Sequence, residues 1–230
     1  MRRKVEALAL VLILDIVIAF SCITALQLCL KGIDAAASGT AVKTGVGKFV
    51  ALTFDDGPHP EFTKELLDGL RERNVKASFF LIGKCIPGNE ELVKQMQEDG
   101  HLIGTHCYTH KDLTKISAEK ACEEIVKTNV LIQGITGKLP EYIRPPYGIW
   151  SGELDDCVQM TRVAWTIDTL DWKNQDTAKI VRHIQKNVGK HQIILMHDTY
   201  KTSVDAALEA IDTLKEQGYT FVTIDELLID

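Results

Sequence analysis

The sequence predicts an α/β protein built on a parallel sheet. Two observations carry this. Short apolar or β-branched runs alternate along the chain with amphipathic, helix-like segments, and reactive polar residues follow the ends of five of those runs. Such alternation is the pattern of βαβ units, either doubly wound or closed into an irregular barrel. In both arrangements the C-terminal ends of the strands open on one face, where active sites form.

Arg2, Arg3 and Lys4 precede a stretch, residues 5–30, that is apolar except for Glu6, Asp15 and a few neutral polar side chains. At about 1.5 Å per helical residue it spans a bilayer, and it exceeds the roughly 7 to 15 residues of a signal-peptide core. Residues 1–31 are therefore expected to be a single-pass membrane anchor, basic end inside and the remainder extracytoplasmic. Asp15 opposes this by about 2.5–3.5 kcal/mol. The small residues up to Ala37 leave cleavage and secretion as the alternative. Residues 32–46, rich in Gly, Ala, Ser and Thr, read as a linker, which leaves 47–230 as the folded domain. Within it strands are expected at 49–54, 77–82, 102–105, 142–144, 163–167, 192–196 and 220–224. Helices are expected at 63–73, 90–98, 117–133, 177–188 and 203–217, with a weaker one at 152–160. Gly100, Gly134, Gly189 and Gly218 mark helix ends.

The chain has 230 residues, 45% hydrophobic and 25% charged, enough for one folded domain with a sizeable core. A net charge of −6 with no basic stripe excludes a nucleic-acid surface. No glycine-rich loop follows the first strand, so no nucleotide cofactor is expected. Outside the apolar N-terminal run, Cys85, Cys107, Cys122 and Cys157 are scattered without a CxxC pair, and buried thiols are favoured over disulfides.

Asp55 and Asp56 follow the first strand, His106 and His110 the third, Arg144 to Gly148 the fourth, Asp168 and Asp171-Trp172 the fifth, and His197-Asp198 the sixth. Two histidines four apart share one face of a helical turn, the spacing that chelates a divalent metal, and Asp55 or Asp56 can add a carboxylate. The intervening Cys-Tyr-Thr holds no Glu, so the base must come from elsewhere, and the neighbouring carboxylate is the candidate. Non-haem iron oxygenases use the same triad; the second carboxylate favours hydrolysis instead. His101 reads as a strand-edge residue rather than a ligand.

In order, "TFDDGPHP", "HCYTH", "RPPYG", "DTLDW" and "LMHD" resemble the five motifs of the polysaccharide deacetylases of the NodB-homology type, carbohydrate esterase family 4. The resemblance runs from about residue 48 to the C-terminus. It implies a distorted (β/α)7-type barrel and a divalent metal, zinc first and cobalt or another ion as alternatives. By resemblance Asp55 is the catalytic base, Asp56, His106 and His110 are the metal ligands, and Arg144 orients Asp55. His197 is implied as the acid, paired with Asp168. Pro146 and Tyr147 belong to the oxyanion and substrate pocket, Tyr147 through its backbone N–H, and Trp172 and Leu195 wall the acetyl pocket. The implied substrate is an N-acetylated glycan, with peptidoglycan leading. Chitooligosaccharide, O-acetylated xylan, or an inactive glycan-binding module are the alternatives. The sequence departs from the family at Cys107, where Ser or Thr is usual. On a helical turn a residue next to a ligating His rotates by about 100° from it, so Cys107 is not expected to ligate.

Overall fold

The computed structural model describes residues 47–228. The expected anchor and linker lie outside the described residues. Among the described residues no helix is long and apolar enough to cross a membrane. The elements in order are β1 (Lys48–Asp55), α1 (Phe62–Glu72), β2 (Ser78–Leu81), α2 (Glu90–Glu98), β3 (Leu102–Thr105), α3 (Ala118–Thr136), β4 (Tyr142–Ile143), β5 (Thr161–Arg162), β6 (Ile167–Asp168), α4 (Asp171–Asn174), α5 (Thr177–Asn187), β7 (Gln192–His197), α6 (Lys201–Glu216), β8 (Tyr219–Phe221) and α7 (Ile224–Leu228).

All strand pairs are parallel, in the order β5-β4-β3-β2-β1-β7-β6, with β8 joining the start of β1. This order places β5 and β6 on opposite edges although only residues 163–166 separate them. A flat sheet would hold these edges about 29 Å apart, whereas the connecting chain reaches at most about 18 Å. The sheet therefore curls into a half-barrel, as a (β/α)7-like fold requires. The connection bonds to both sides, Val163 N–H to Ile143 O and Thr166 N–H to Ile193 O, each at 2.9 Å. Here the expected single strand at 163–167 is corrected: two short strands replace it.

Side chains alternate across this sheet with period two. Val50, Leu52 and Phe54 of β1, with Ile194 and Met196 of β7, pack outward against Leu66, Leu67, Leu70 and the apolar faces of α5 and α6. Ala51 and Phe80 point the other way, into a small inner core with Val163 and Ile224. Asp55 is in phase with Ala51, so the carboxylate stands on the inner side at the mouth.

Three further expectations are revised. Segment 152–160 holds only a short turn, Gly152–Leu154, and no longer helix. The α3 helix continues through Gly134 and stops at Gly137, which takes φ 73° and returns its N–H to Gln133 O. Cys122 and Cys157 form a disulfide, Cα–Cα 6.3 Å, while Cys85 and Cys107 are free. Nothing local signals that pair, because its partners are 35 residues apart and meet only through packing.

Candidate active site

Asp55, His106, Arg144, Asp168 and His197 all lie at or just beyond strand C-termini. All of them except the buried Arg144 line a cavity of about 450 Å³. The β1–β7 register sets Asp55 directly beside His197, and adjacent residues in register project from the same face.

Asp55 is buried, and Arg144 Nη1 donates to its Oδ1 at 2.8 Å and to Thr53 Oγ1 at 2.8 Å. Arg144 also donates to Val163 O and Ala164 O, and its guanidinium lies 4.4 Å from the centre of the Phe80 ring. This wholly buried cation thus ties the carboxylate to the segment that joins the two sheet edges. The second Asp55 oxygen is 3.8 Å from His106 Nε2.

Asp56 adopts φ 73° and turns its carboxylate toward the two imidazoles. Its Oδ1 lies 3.5 Å from His106 Nε2 and 3.4 Å from His110 Nε2. That oxygen is buried with no hydrogen-bond partner among the described residues. His106 Nδ1–H donates to Arg144 O at 2.5 Å, so Nε2 presents its lone pair. For His110, burial pushes the ring below its ordinary pKa against the pull of Asp56. Donor atoms around a tetrahedral zinc-type ion at ordinary bond lengths stand about 3.4 Å apart. The three residues therefore fit a divalent cation in separation, in tautomer and in the orphaned oxygen.

The expected helical turn at the two histidines is not formed. Residues 106–110 are a loop, with Cys107 at φ 63° and His110 at φ 58°. Left-handed geometry at residues other than Gly costs on the order of 1 kcal/mol or more each, and persists where surroundings enforce it. Cys107 leaves the cation site altogether: it is fully buried among Leu113, Ile125, Ile143 and Leu154. Burial pushes its thiol well above the usual range.

The pairing of His197 is corrected. Asp171, not Asp168, accepts from His197 Nδ1–H at 2.8 Å and from the His197 backbone N–H at 2.7 Å. Asp168 instead accepts from Leu170 N–H at 2.9 Å, closing the turn into α4. Leu170 at φ 57° ends that turn, so Asp171, first in α4 and fully buried, faces β7. Burial opposes the charged His197 ring, but the Asp171 hydrogen bond and charge, with Asp55 and Asp56 beyond, outweigh it and lift the pKa to about 9.

Tyr147 (φ 61°), Trp172, Leu195 and Asp168 line the cavity. Pro146 does not; it is buried and Pro145 takes the lining position. Trp165 and Tyr200, which no motif singled out, also line it. His101 stands at the other end of β3, where its Nδ1 accepts from Ala77 N–H, and burial lowers its pKa to about 4.

Residues 43–164 match the family model described as polysaccharide deacetylase. The chain belongs to this family. A peptidoglycan-N-acetylglucosamine deacetylase of Listeria monocytogenes, PgdA, is 38% identical over 185 residues, covering 80% of this chain and 40% of that protein. The peptidoglycan-N-acetylmuramic acid deacetylase PdaC of Bacillus subtilis is 38% identical over 180 residues, 78% of this chain and 38% of that protein. The solved structure of PdaC superimposes with a TM-score of 0.77 at 38% identity, covering 79% of this chain and 90% of that one. The chain thus spans about two fifths of the length of these two curated relatives. Polysaccharide deacetylase membership accounts for the half-barrel and for the order of the five motifs along it.

Proposed function

We propose that this protein is a metal-dependent hydrolase that removes N-acetyl groups from an N-acetylated polysaccharide. Peptidoglycan N-acetylglucosamine is the substrate we assign, zinc the ion, and the extracytoplasmic face of the membrane the location, with residues 1–31 as anchor. The observation that carries the reading is the placement of an Arg144-held Asp55 between the Asp56, His106 and His110 cluster and an Asp171-held His197. The relatives, named for peptidoglycan deacetylation, support the substrate class.

A divalent cation held by Asp56, His106 and His110 would polarise the acetyl carbonyl and acidify a water. Asp55 then takes a proton from the attacking water, its other oxygen being fixed by Arg144. Tyr147 offers its backbone N–H to the carbonyl oxygen as negative charge develops there. When the C–N bond breaks, acetate leaves and His197 passes its proton to the departing amine. Asp171 holds Nδ1–H, so Nε2 is the nitrogen that delivers it. Trp172 and Leu195 offer apolar surface to the acetyl methyl group.

The test is acetate release from purified peptidoglycan, from chitooligosaccharides and from acetylated xylan, with and without zinc. Acetate from peptidoglycan together with new free amine on glucosamine is expected. Free amine on muramic acid alone would reassign the sugar, and no acetate from any glycan would overturn the activity.

A further inference from the structure

The two histidines of the cation site are held very differently. His106 has its own hydrogen bond to Arg144 O. No group among the described residues hydrogen-bonds the His110 ring, although His110 sits at a left-handed residue in a loop without helical support. Its orientation must come from its neighbours. Thr109, immediately before it, is clamped twice: the backbone N–H donates to Glu124 Oε2 at 2.7 Å, and Oγ1 lies 2.8 Å from both Glu124 oxygens. Glu124 is mostly buried on α3, and Lys111 Nζ lies 3.8 Å from its Oε1.

The turn after β2, residues 83–85, holds the rest of the loop. Gly83 N–H donates to Cys107 O and Lys84 N–H to Tyr108 O, at 2.9 and 3.0 Å. Thr128, one turn beyond Glu124, fills the space that a side chain at position 83 would occupy, beside the Tyr108 ring. Lys127 lies 3.5 Å from the centre of that ring.

We infer that Glu124 is a positioning residue for the cation site: by fixing both polar groups of Thr109 it aims the His110 imidazole at the point shared with Asp56 and His106. This rests on the reading of those three residues as metal ligands. Glu124 does not line the cavity; its effect passes through one peptide unit.

The test is the dissociation constant of zinc and of cobalt for the metal-free full-length chain, measured by competition with a chelator of known affinity. It needs no turnover, so its failure is distinguishable from a failure of the deacetylase assignment. Glu124→Ala is expected to bind zinc about 10- to 100-fold more weakly, as losses beside ligating histidines do. Glu124→Gln can still accept from Thr109 N–H and donate to its hydroxyl, so it is expected within about threefold of the parent. Thr109→Val, keeping the N–H and losing the hydroxyl, should fall between them, and Thr109→Ser should match the parent. If Glu124→Ala does not fold, the threonine pair carries the same test. A merely structural Glu124 would lower the melting temperature in chelator and leave the zinc constant within twofold, which would overturn the inference. Equal losses in Glu124→Gln and Glu124→Ala would also overturn it, by assigning the effect to charge.

Discussion

Replacing Asp171 by Asn separates the two aspartates of the DTLDW segment by role. Asn keeps the shape and can still accept from His197 Nδ1–H, but it removes the charge that stands 2.8 Å from the ring. His197 is held at about 9 chiefly because that charge and hydrogen bond outweigh burial. Without the charge the ring falls back toward its ordinary value of about 6.5. At pH 8 the protonated fraction then drops from about nine tenths to about 3%, roughly a 30-fold loss of general-acid catalysis, while at pH 6 the loss stays below about twofold. Asn also sets an NH₂ against the His197 backbone N–H, so stability falls as well. The readout is therefore the pH profile of acetate release rather than the rate at one pH. The alkaline limb should move down by about 2.5 pH units in Asp171→Asn and stay in place in Asp168→Asn, whose carboxylate closes a turn and does not bond His197. A bound cation lowers the limb in all three proteins alike, so the comparison rests on the difference. An unmoved limb in Asp171→Asn, or a moved one in Asp168→Asn, would refute the pairing and the acid role together.

Asp55→Asn should retain zinc while losing about 10² to 10⁴ in rate, whereas Asp56→Asn and His110→Ala should lose zinc affinity; metal analysis of the purified variants would expose a reversed assignment. Cys107→Ser should keep full metal stoichiometry yet cost about 1–3 kcal/mol of stability, since a hydroxyl replaces a thiol in a dry apolar cluster; loss of zinc instead would make the thiol a ligand. Burial lifts the Asp198 carboxyl to about 7 in the fold, although Thr63 Oγ1 donates to it. A carboxyl raised above its unfolded value of 3.8 binds more protons when folded, so its stabilising effect is lost as pH rises from 3.8 through about 7. Asp198→Asn should flatten that dependence in urea titrations, and an identical slope in parent and variant would contradict it. Fractionation after a high-salt wash should leave the full-length chain with membranes and a form starting near Thr44 in solution.

The β/α alternation, the five polar clusters and the bracketing of most helices could be read in the sequence, because hydrophobic periodicity and turn residues are local signals. Strands 102–105 and 192–196 and helix 90–98 are found where periodicity predicts them, apart from His197, which extends β7 by one residue. The residues of the cation cluster were likewise legible, since Asp56, His106 and His110 each follow a strand. What tertiary structure alone decided are relations between elements. The strand expected at 163–167 divides because a buried Arg144 and two sheet edges compete for its carbonyls and amides. Asp171 rather than Asp168 reaches His197 because a left-handed Leu170 reorients the chain between them. Cys122 meets Cys157, and Glu124 meets Thr109, only once α3 has packed against two loops. Periodicity assigns a residue to a face of its own element; which side chain of another element it meets is fixed by packing, and spacing along the chain does not encode that.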